Sequence, residues 1–189
     1  MTVVYITSDW HLGHRNVAKW RESYTYPPLH PDLHDEFILE QYRKTVTKRD
    51  IVWFLGDIIM DPKYLEVVKE LPGRKHIVLG NHDTKPDSLA RGITARDLVE
   101  VFENVVGLVK YKDVWLSHAP VHTTELRGKV NLHGHTHINV IQDQKDGEVI
   151  DDPRYINCCV EHTHFAPMSF QKLRPRINKG KEYATTLVD

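Results

Sequence analysis

Short apolar runs that each stop at a cluster of polar, metal-capable side chains constrain this chain more than any other feature. Residues 75–79 form one such run, rich enough in apolar and β-branched residues to read as a buried strand, and Gly80-Asn81-His82-Asp83 follows at once. The arrangement recurs where residues 3–7 precede Ser8-Asp9-Trp10-His11, where residues 51–55 precede Gly56-Asp57, and where residues 114–117 precede His118. Leu132 leads in the same way into Gly134-His135-Thr136-His137. A glycine at a strand end lets the backbone turn sharply. Ligands of open α/β sheets bind at the carboxyl ends of strands, so a layered sheet would gather these clusters on one rim. Asn, Asp and Gly are also ordinary turn formers, and the weight comes from the recurrence.

The other elements follow from periodicity. Residues 24–31, with three prolines, read as a loop. Residues 32–44 place Leu33, Phe37, Ile38 and Tyr42 at helical spacing, and a second helix runs from Pro62 through Leu65, Val68 and Leu71 to a stop at Pro72-Gly73. Thr94 with Asp97 marks a third helix start, with Leu98, Val101 and Phe102 as its inner face. From Val105 onward strands dominate: residues 105–110 and 114–117 about a turn at 111–113, residues 140–142 and 148–150 about Asp146-Gly147, and residues 155–160 as the last strand. Residues 174–180 read as a basic, turn-rich tail. Helices alternating with strands, then strands, predict a layered α/β domain with a mixed sheet or two stacked sheets.

At 189 residues the chain suits one domain spanning 1–189, with no insertion between the clusters large enough to cap them. A formal net charge of -1 offers no basic field for duplex nucleic acid. Cys158 and Cys159 are adjacent, so they make no disulfide framework and read as buried apolar residues. No apolar run reaches membrane-spanning length, and a first candidate ligand at Asp9 leaves no room for a leader, so a cytoplasmic location is expected. Thirteen histidines are many for this length. Scattered ones such as His30, His34 and His76 read as surface imidazoles.

The clusters together hold the carboxylates of Asp9 and Asp57, the amide of Asn81 and the imidazoles of His11, His118, His135 and His137, with His82 left over. Mixed oxygen and nitrogen donors suit Mn²⁺, Fe²⁺ or Zn²⁺ better than Ca²⁺ or Mg²⁺. The set exceeds what one tetrahedral ion takes, whereas two ions sharing a carboxylate would use it all.

This constellation resembles the calcineurin-like metallophosphoesterase superfamily, whose motifs D-x-H, G-D, G-N-H-[DE], H and G-H-x-H occur here in order from Asp9 to His137. The opening Ser8 to His14 and the late Ile156-Asn157 look like a small single-domain bacterial and phage branch of it. The resemblance implies a four-layer α/β/β/α sandwich of two mixed β-sheets flanked by helices, with the metal site at strand ends. It places Asp9, His11 and His137 on one ion, Asn81, His118 and His135 on a second, and Asp57 between them. The implied cofactors are two divalent transition-metal ions, Mn²⁺ ahead of Fe²⁺, Zn²⁺ or Ni²⁺. Hydroxide held between the ions would attack phosphorus, His82 would protonate the leaving oxygen as general acid, and Asp83 would orient that imidazole.

The expected activity is hydrolysis of phosphodiesters, cyclic nucleotides included, on small substrates without membrane or duplex nucleic acid as partner. A phosphomonoesterase, including a protein phosphatase, is the runner-up; a non-catalytic scaffold is the rival from another class, disfavoured because every ligand position and His82 are intact. A nuclease of the superfamily would be expected to bring an added domain and a basic surface. His14, ahead of Arg15, is a candidate substrate contact. His133 could share the face of His135 and His137 and is left out of the site. His122 and Arg127 read as a solvated loop, and Glu161, His162 and His164 as spare capacity.

Overall fold

The computed structural model describes residues 1–22, 29–84 and 92–187. Its strands are β1 (Val4–Thr7), β2 (Ile51–Phe54), β3 (Arg74–Val78), β4 (Asn104–Val106), β5 (Leu108–Tyr111), β6 (Val114–Ser117), β7 (Val130–His133), β8 (Gln142–Lys145), β9 (Glu148–Asp151), β10 (Tyr155–Asn157) and β11 (Met168–Ser169). The helices are α1 (Arg15–Arg21), α2 (His34–Thr45), α3 (Tyr64–Glu70), α4 (Ala95–Val101), α5 (Thr123–Leu126) and α6 (Phe170–Thr186). One sheet has the order β11-β1-β2-β3-β4, parallel except for β11; the second has the order β10-β7-β6-β5, parallel except for β5. Both are therefore mixed, helices flank them, and the α/β/β/α sandwich expected from the sequence is the architecture found. β8 and β9 form a separate hairpin.

Side-chain alternation builds two cores from the first sheet. On β2, Val52 and Phe54 face one core while Trp53 and Leu55 face the other; Tyr5 and Ile6 divide in the same way on β1, and Ile77 and Val78 on β3. One core packs beneath α2, α3 and α4 through Ile38, Leu39, Val68 and Leu98. The other lies between the sheets, where Val114, Leu116, Val130 and Leu132 of the second sheet meet Phe170, Leu173 and Ile177 of α6. Strands buried on both faces carry near-continuous apolar runs, which is why residues 51–55 and 75–79 were so legible. α4 starts at the full capping box foreseen from Thr94 and Asp97.

Several expectations need correction. The run 105–110 is two strands: Gly107 separates β4, which pairs with β3, from β5, which pairs with β6, so the chain changes sheets there. The tail 174–180 lies inside α6, where Pro175 is tolerated because Phe170, Leu173, Ile177, Gly180 and Tyr183 bury one continuous face. Residues 155–160 give only β10 before a 3₁₀ turn at Val160–His162, and β11 is the last strand. α1 was not foreseen, since its buried side consists of Ala18 and Arg21 rather than an apolar stripe. His34 and His76 are buried, the first between Arg21 and Asp35, the second against Trp53 and Asn104. The loop 24–31 falls mostly outside the described residues. No helix among the described residues is long and apolar enough to cross a membrane.

Candidate metal centre

Parallel strands deliver the clusters to one rim. Asp9 and His11 follow β1, Asp57 follows β2, and Asn81, His82 and Asp83 follow β3, while His118 follows β6 and His135 and His137 follow β7. The loops after β1 and β2 are laced by backbone bonds from Asp9 N–H to Gly56 and from His11 N–H to Asp57, both 3.0 Å. Gly134 and Gly80 allow a closer approach than any other residue could. A Cβ on Gly134 would strike the Ser8 hydroxyl and Asp9 carboxylate, and one on Gly80 would strike the Asp57 carboxylate.

Two groups of donors result. Asp9 Oδ1 lies 3.6 Å from His11 Nε2 and 3.9 Å from His137 Nε2. On the other side, His118 Nε2 lies 2.9 Å from Asn81 Oδ1, 3.2 Å from His135 Nδ1 and 3.4 Å from Asp57 Oδ2. Asp57 Oδ2 is also 3.8 Å from His11 Nε2, so this carboxylate stands between the groups. The structure thus brings together all seven residues that sequence reading put forward as ligands. Donor atoms of Asp9, His11 and His137 all lie within 4.8 Å of one another, as do those of Asp9, Asp57 and His118.

At His118 and His137 the Nδ1 atom is engaged away from the centre, which turns Nε2 towards it. His118 Nδ1 donates to the Leu55 carbonyl at 2.8 Å, and His137 Nδ1 donates to Glu161 at 2.8 Å. Ser8 Oγ, His135 N–H and Cys159 Sγ all donate to Asp9 Oδ2. Its Oδ1, like both ring nitrogens of His11, is buried without a hydrogen-bond partner. Buried polar atoms are seldom left so, and a carboxylate oxygen converging with imidazole lone pairs is what a divalent cation satisfies. The residues fit the ions that the donor chemistry implies.

Charge completes the picture. Burial opposes ionisation of Asp9, but the close approach of the His11 ring and the charges of the nearby imidazoles His118, His11 and His137 outweigh it and hold the carboxyl well below its usual range. Burial pulls His11 down towards neutrality. At His118 burial acts the same way, yet its bond to Asp57 and the Asp9 and Asp57 charges win and push it up to about 9. A proton on His118 and a cation between these donors are rival answers to one excess of negative charge.

The backbone is strained here. Asp9, His11, Asp57, His135 and His137 all have φ between 48° and 69°, the left-handed region that side chains with a Cβ rarely adopt. Strain of this kind persists only where neighbours over-determine it, and it concentrates at functional sites.

The remaining candidates divide. Asp83 accepts backbone N–H bonds from Asp57 and Gly80 on Oδ2 and from Ile58 on Oδ1, so it ties the loop after β3 to the loop after β2. Burial and the Asp57 charge lift Asp83 to about 6. His82 places its ring Nε2 4.0 Å from Asp57 Oδ2 and its centroid 5.9 Å from that of His11. His14 caps α1 through Nδ1 and lies 5.9 Å, ring to ring, from His11. His133 is buried with Nδ1 on the Gly134 carbonyl, and His122 and Arg127 are exposed.

Glu161 was undervalued. It is buried, accepts from His137 Nδ1, and pairs with the fully buried Arg21 at 2.8 Å. Arg21 also holds the carbonyls of Asp9 and Trp10. Carboxylates of this kind orient a metal-binding imidazole and raise its basicity. Its neighbour His162 bonds the His137 carbonyl, and Asn157 Nδ2 bonds Thr136 Oγ1 and the carbonyls of His137 and Asn139. Nothing in the spacing of Glu161 links it to His137; their meeting depends on β10 lying beside β7.

The fold and the converging donors define a phosphoesterase of the calcineurin-like superfamily, and the chain belongs to that family: its domain model matches residues 28–158. That match begins after the Asp9-x-His11 motif. Among relatives, the Gene 66 protein of Mycobacterium phage D29 is 31% identical over 96% of this chain and 99% of its own, and that of phage L5 is 33% identical over 75% and 80%. An uncharacterized protein of Methanocaldococcus jannaschii is 26% identical over 98% of this chain and 97% of its own. These small phage and archaeal relatives fit the single-domain branch. A solved structure of a protein of unknown function from Aquifex aeolicus has the same fold, with a TM-score of 0.68 at 24% identity over 93% of this chain and 99% of that one.

Proposed function

We propose that the chain is a phosphodiesterase that works with two divalent transition-metal ions, manganese first among them. Asp9, His11 and His137 would hold one ion, Asn81, His118 and His135 the other, and Asp57 would be shared. Bound there, the ions would neutralise phosphate charge and make water acidic enough to serve as a nucleophile near neutral pH. His82 gives a proton to the departing oxygen, a role worth roughly 10²–10⁴ in rate. Asp83 positions that residue through the loop it clamps rather than by charging its ring.

The observation that carries the diester reading is the wall beside His135 and His137. It is lined by His14, Asn16, Val17, Trp20, Thr136, Ile138 and Asn139, with no lysine, arginine or carboxylate among the described residues. A neutral wall suits the second ester group of a monoanionic diester better than the extra charge of a monoester. A single domain over residues 1–189 without a cap keeps this wall open. Parallel assays with manganese on methyl p-nitrophenyl phosphate and p-nitrophenyl phosphate test the reading. The diester should win by at least about tenfold in kcat/KM; a monoester preference rejects it.

Two further outcomes follow. Glu161→Gln, which leaves every proposed ligand in place, should weaken the manganese assigned to Asp9, His11 and His137 by about 10–100-fold, measured by titration of metal-free protein. Unchanged affinity would show that Glu161 serves only Arg21. Chelation should lower the melting temperature, because the ions bind the folded state alone. At about 100 times Kd a ligand adds ~2.7 kcal/mol, or roughly 5–10 °C for a domain of this size. Scanning calorimetry with and without chelator reads this, and an unmoved transition would argue against folded-state metal binding.

A further inference from the structure

Outside the candidate centre, a hollow of about 200 Å³ lies between β10, α6 and the loops that follow β7 and β9. It is smaller than the roughly 300–1,000 Å³ of sites for drug-sized ligands, yet at ~30 Å³ per water it has room for a small ion and several waters. None of the seven proposed metal ligands lines it. Two features give it a chemistry of its own. The first is a pair of cations from α6, Arg176 and Lys179, three residues apart and so neighbours on the helix surface. Both are exposed and neither has an ion pair among the described residues, whereas Arg174 and Lys181 of the same helix both pair with Asp113. The second is His133 of β7, which lines the hollow while only 1% exposed. Its Nδ1 donates to the Gly134 carbonyl at 2.8 Å, and its Nε2 is buried with no hydrogen-bond partner. With Nδ1 as the donor, the neutral ring keeps Nε2 as an acceptor. Of the two carboxylates in the lining, Asp152 is held by Arg154 at 2.6 Å and Asp151 is exposed. Two unpaired cations against one unpaired carboxylate leave the lining positive.

We infer that this hollow is a second anion site that binds inorganic phosphate, with Arg176 and Lys179 on the charged oxygens and the P–OH group donating to His133 Nε2. The site is separate from the metal centre and does not rest on the phosphodiesterase reading. Its buried acceptor selects among anions. Hydrogenphosphate keeps an O–H throughout the neutral range and satisfies Nε2. Sulfate carries no proton there and would set lone pair against lone pair. A phosphate monoester, with a second pKa of roughly 6, has also lost its proton above neutrality. The hollow backs onto the loop that carries the last proposed ligands. Asn157 Nδ2 and His162 Nε2, both from residues of its lining, bond the His137 carbonyl at 2.7 Å.

Equilibrium dialysis of the manganese-loaded full chain against labelled phosphate, at slightly alkaline pH, tests the site. The native chain should bind one more phosphate than the double variant Arg176→Ala, Lys179→Ala. That difference stands whether or not the metal centre also takes a phosphate. Either single substitution should weaken the extra site by about tenfold or more, because each removes a charge-assisted hydrogen bond. Both side chains are exposed, so the variants should melt with the parent. Sulfate and methyl phosphate, measured by the same difference between native chain and double variant, should bind at least about tenfold more weakly than phosphate. His133→Phe, which keeps a ring but no acceptor, should erase that preference. Equal phosphate stoichiometry in the native chain and the double variant, or sulfate held there as tightly as phosphate, overturns the site. A folded His133→Phe chain that still prefers phosphate overturns the role of His133. If that variant fails to fold, the comparison of phosphate with sulfate on the native chain decides.

Discussion

Asp57→Asn should reduce bound manganese from two ions per chain to one or fewer and lower kcat/KM by at least about 10³, beyond the roughly 10–100-fold typical of outer partners. Asp57 Oδ2 is the carboxylate oxygen that approaches donors of both groups, 3.8 Å from His11 Nε2 and 3.4 Å from His118 Nε2. Asparagine is the informative replacement. Its backbone tolerates the φ of 56° at this position, where alanine would add strain. Its Oδ1 can still accept the His82 N–H bond, 2.9 Å in the native chain. The amide takes away the charge that helps hold the His118 proton, so the metal-free variant should melt somewhat lower than the metal-free parent while still unfolding in one transition. The gain in melting temperature on adding manganese should be lost as well. Elemental analysis beside calorimetry separates this from simple unfolding, and a variant that still holds two ions would contradict a shared role for Asp57.

His82→Ala should keep both ions while losing about 10²–10³ in kcat on an alkyl diester and less than about tenfold on an aryl diester. An alkoxide is a poor leaving group and needs its proton; an aryloxide departs with little help. The contact from residue 82 to Asp57 Oδ1 is made by the main-chain N–H, which alanine retains, so the centre should not be disturbed. Equal losses on both esters would reject the acid role, and loss of an ion would make His82 a ligand instead.

Legibility from sequence followed burial. β1, β2 and β3 announce themselves as apolar runs, and the donors two to four residues beyond them are therefore expected on one rim from sequence alone. The Thr94–Asp97 capping box is local chemistry and was equally plain. What escaped depends on pairings between distant segments. The crossing from β4 to β5 at Gly107 needs knowledge of which sheet each strand joins. α6 hid behind Pro175 and Gly180, whose helix-breaking tendency is outweighed by a face buried against both sheets. Arg21 and Glu161 are separated by 140 positions yet meet at 2.8 Å behind His137. Their sequence neighbourhoods, a short helix without an apolar stripe and a histidine-rich turn, carry no trace of that meeting.

The most direct measurement is an anomalous-scattering map from a crystal grown in manganese. Two peaks roughly 3.5–4 Å apart should stand on either side of Asp57, one among Asp9, His11 and His137 and the other among Asn81, His118 and His135. A single peak, or donors turned away from a site that holds none, would contradict the paired-cation centre on which the proposed chemistry depends.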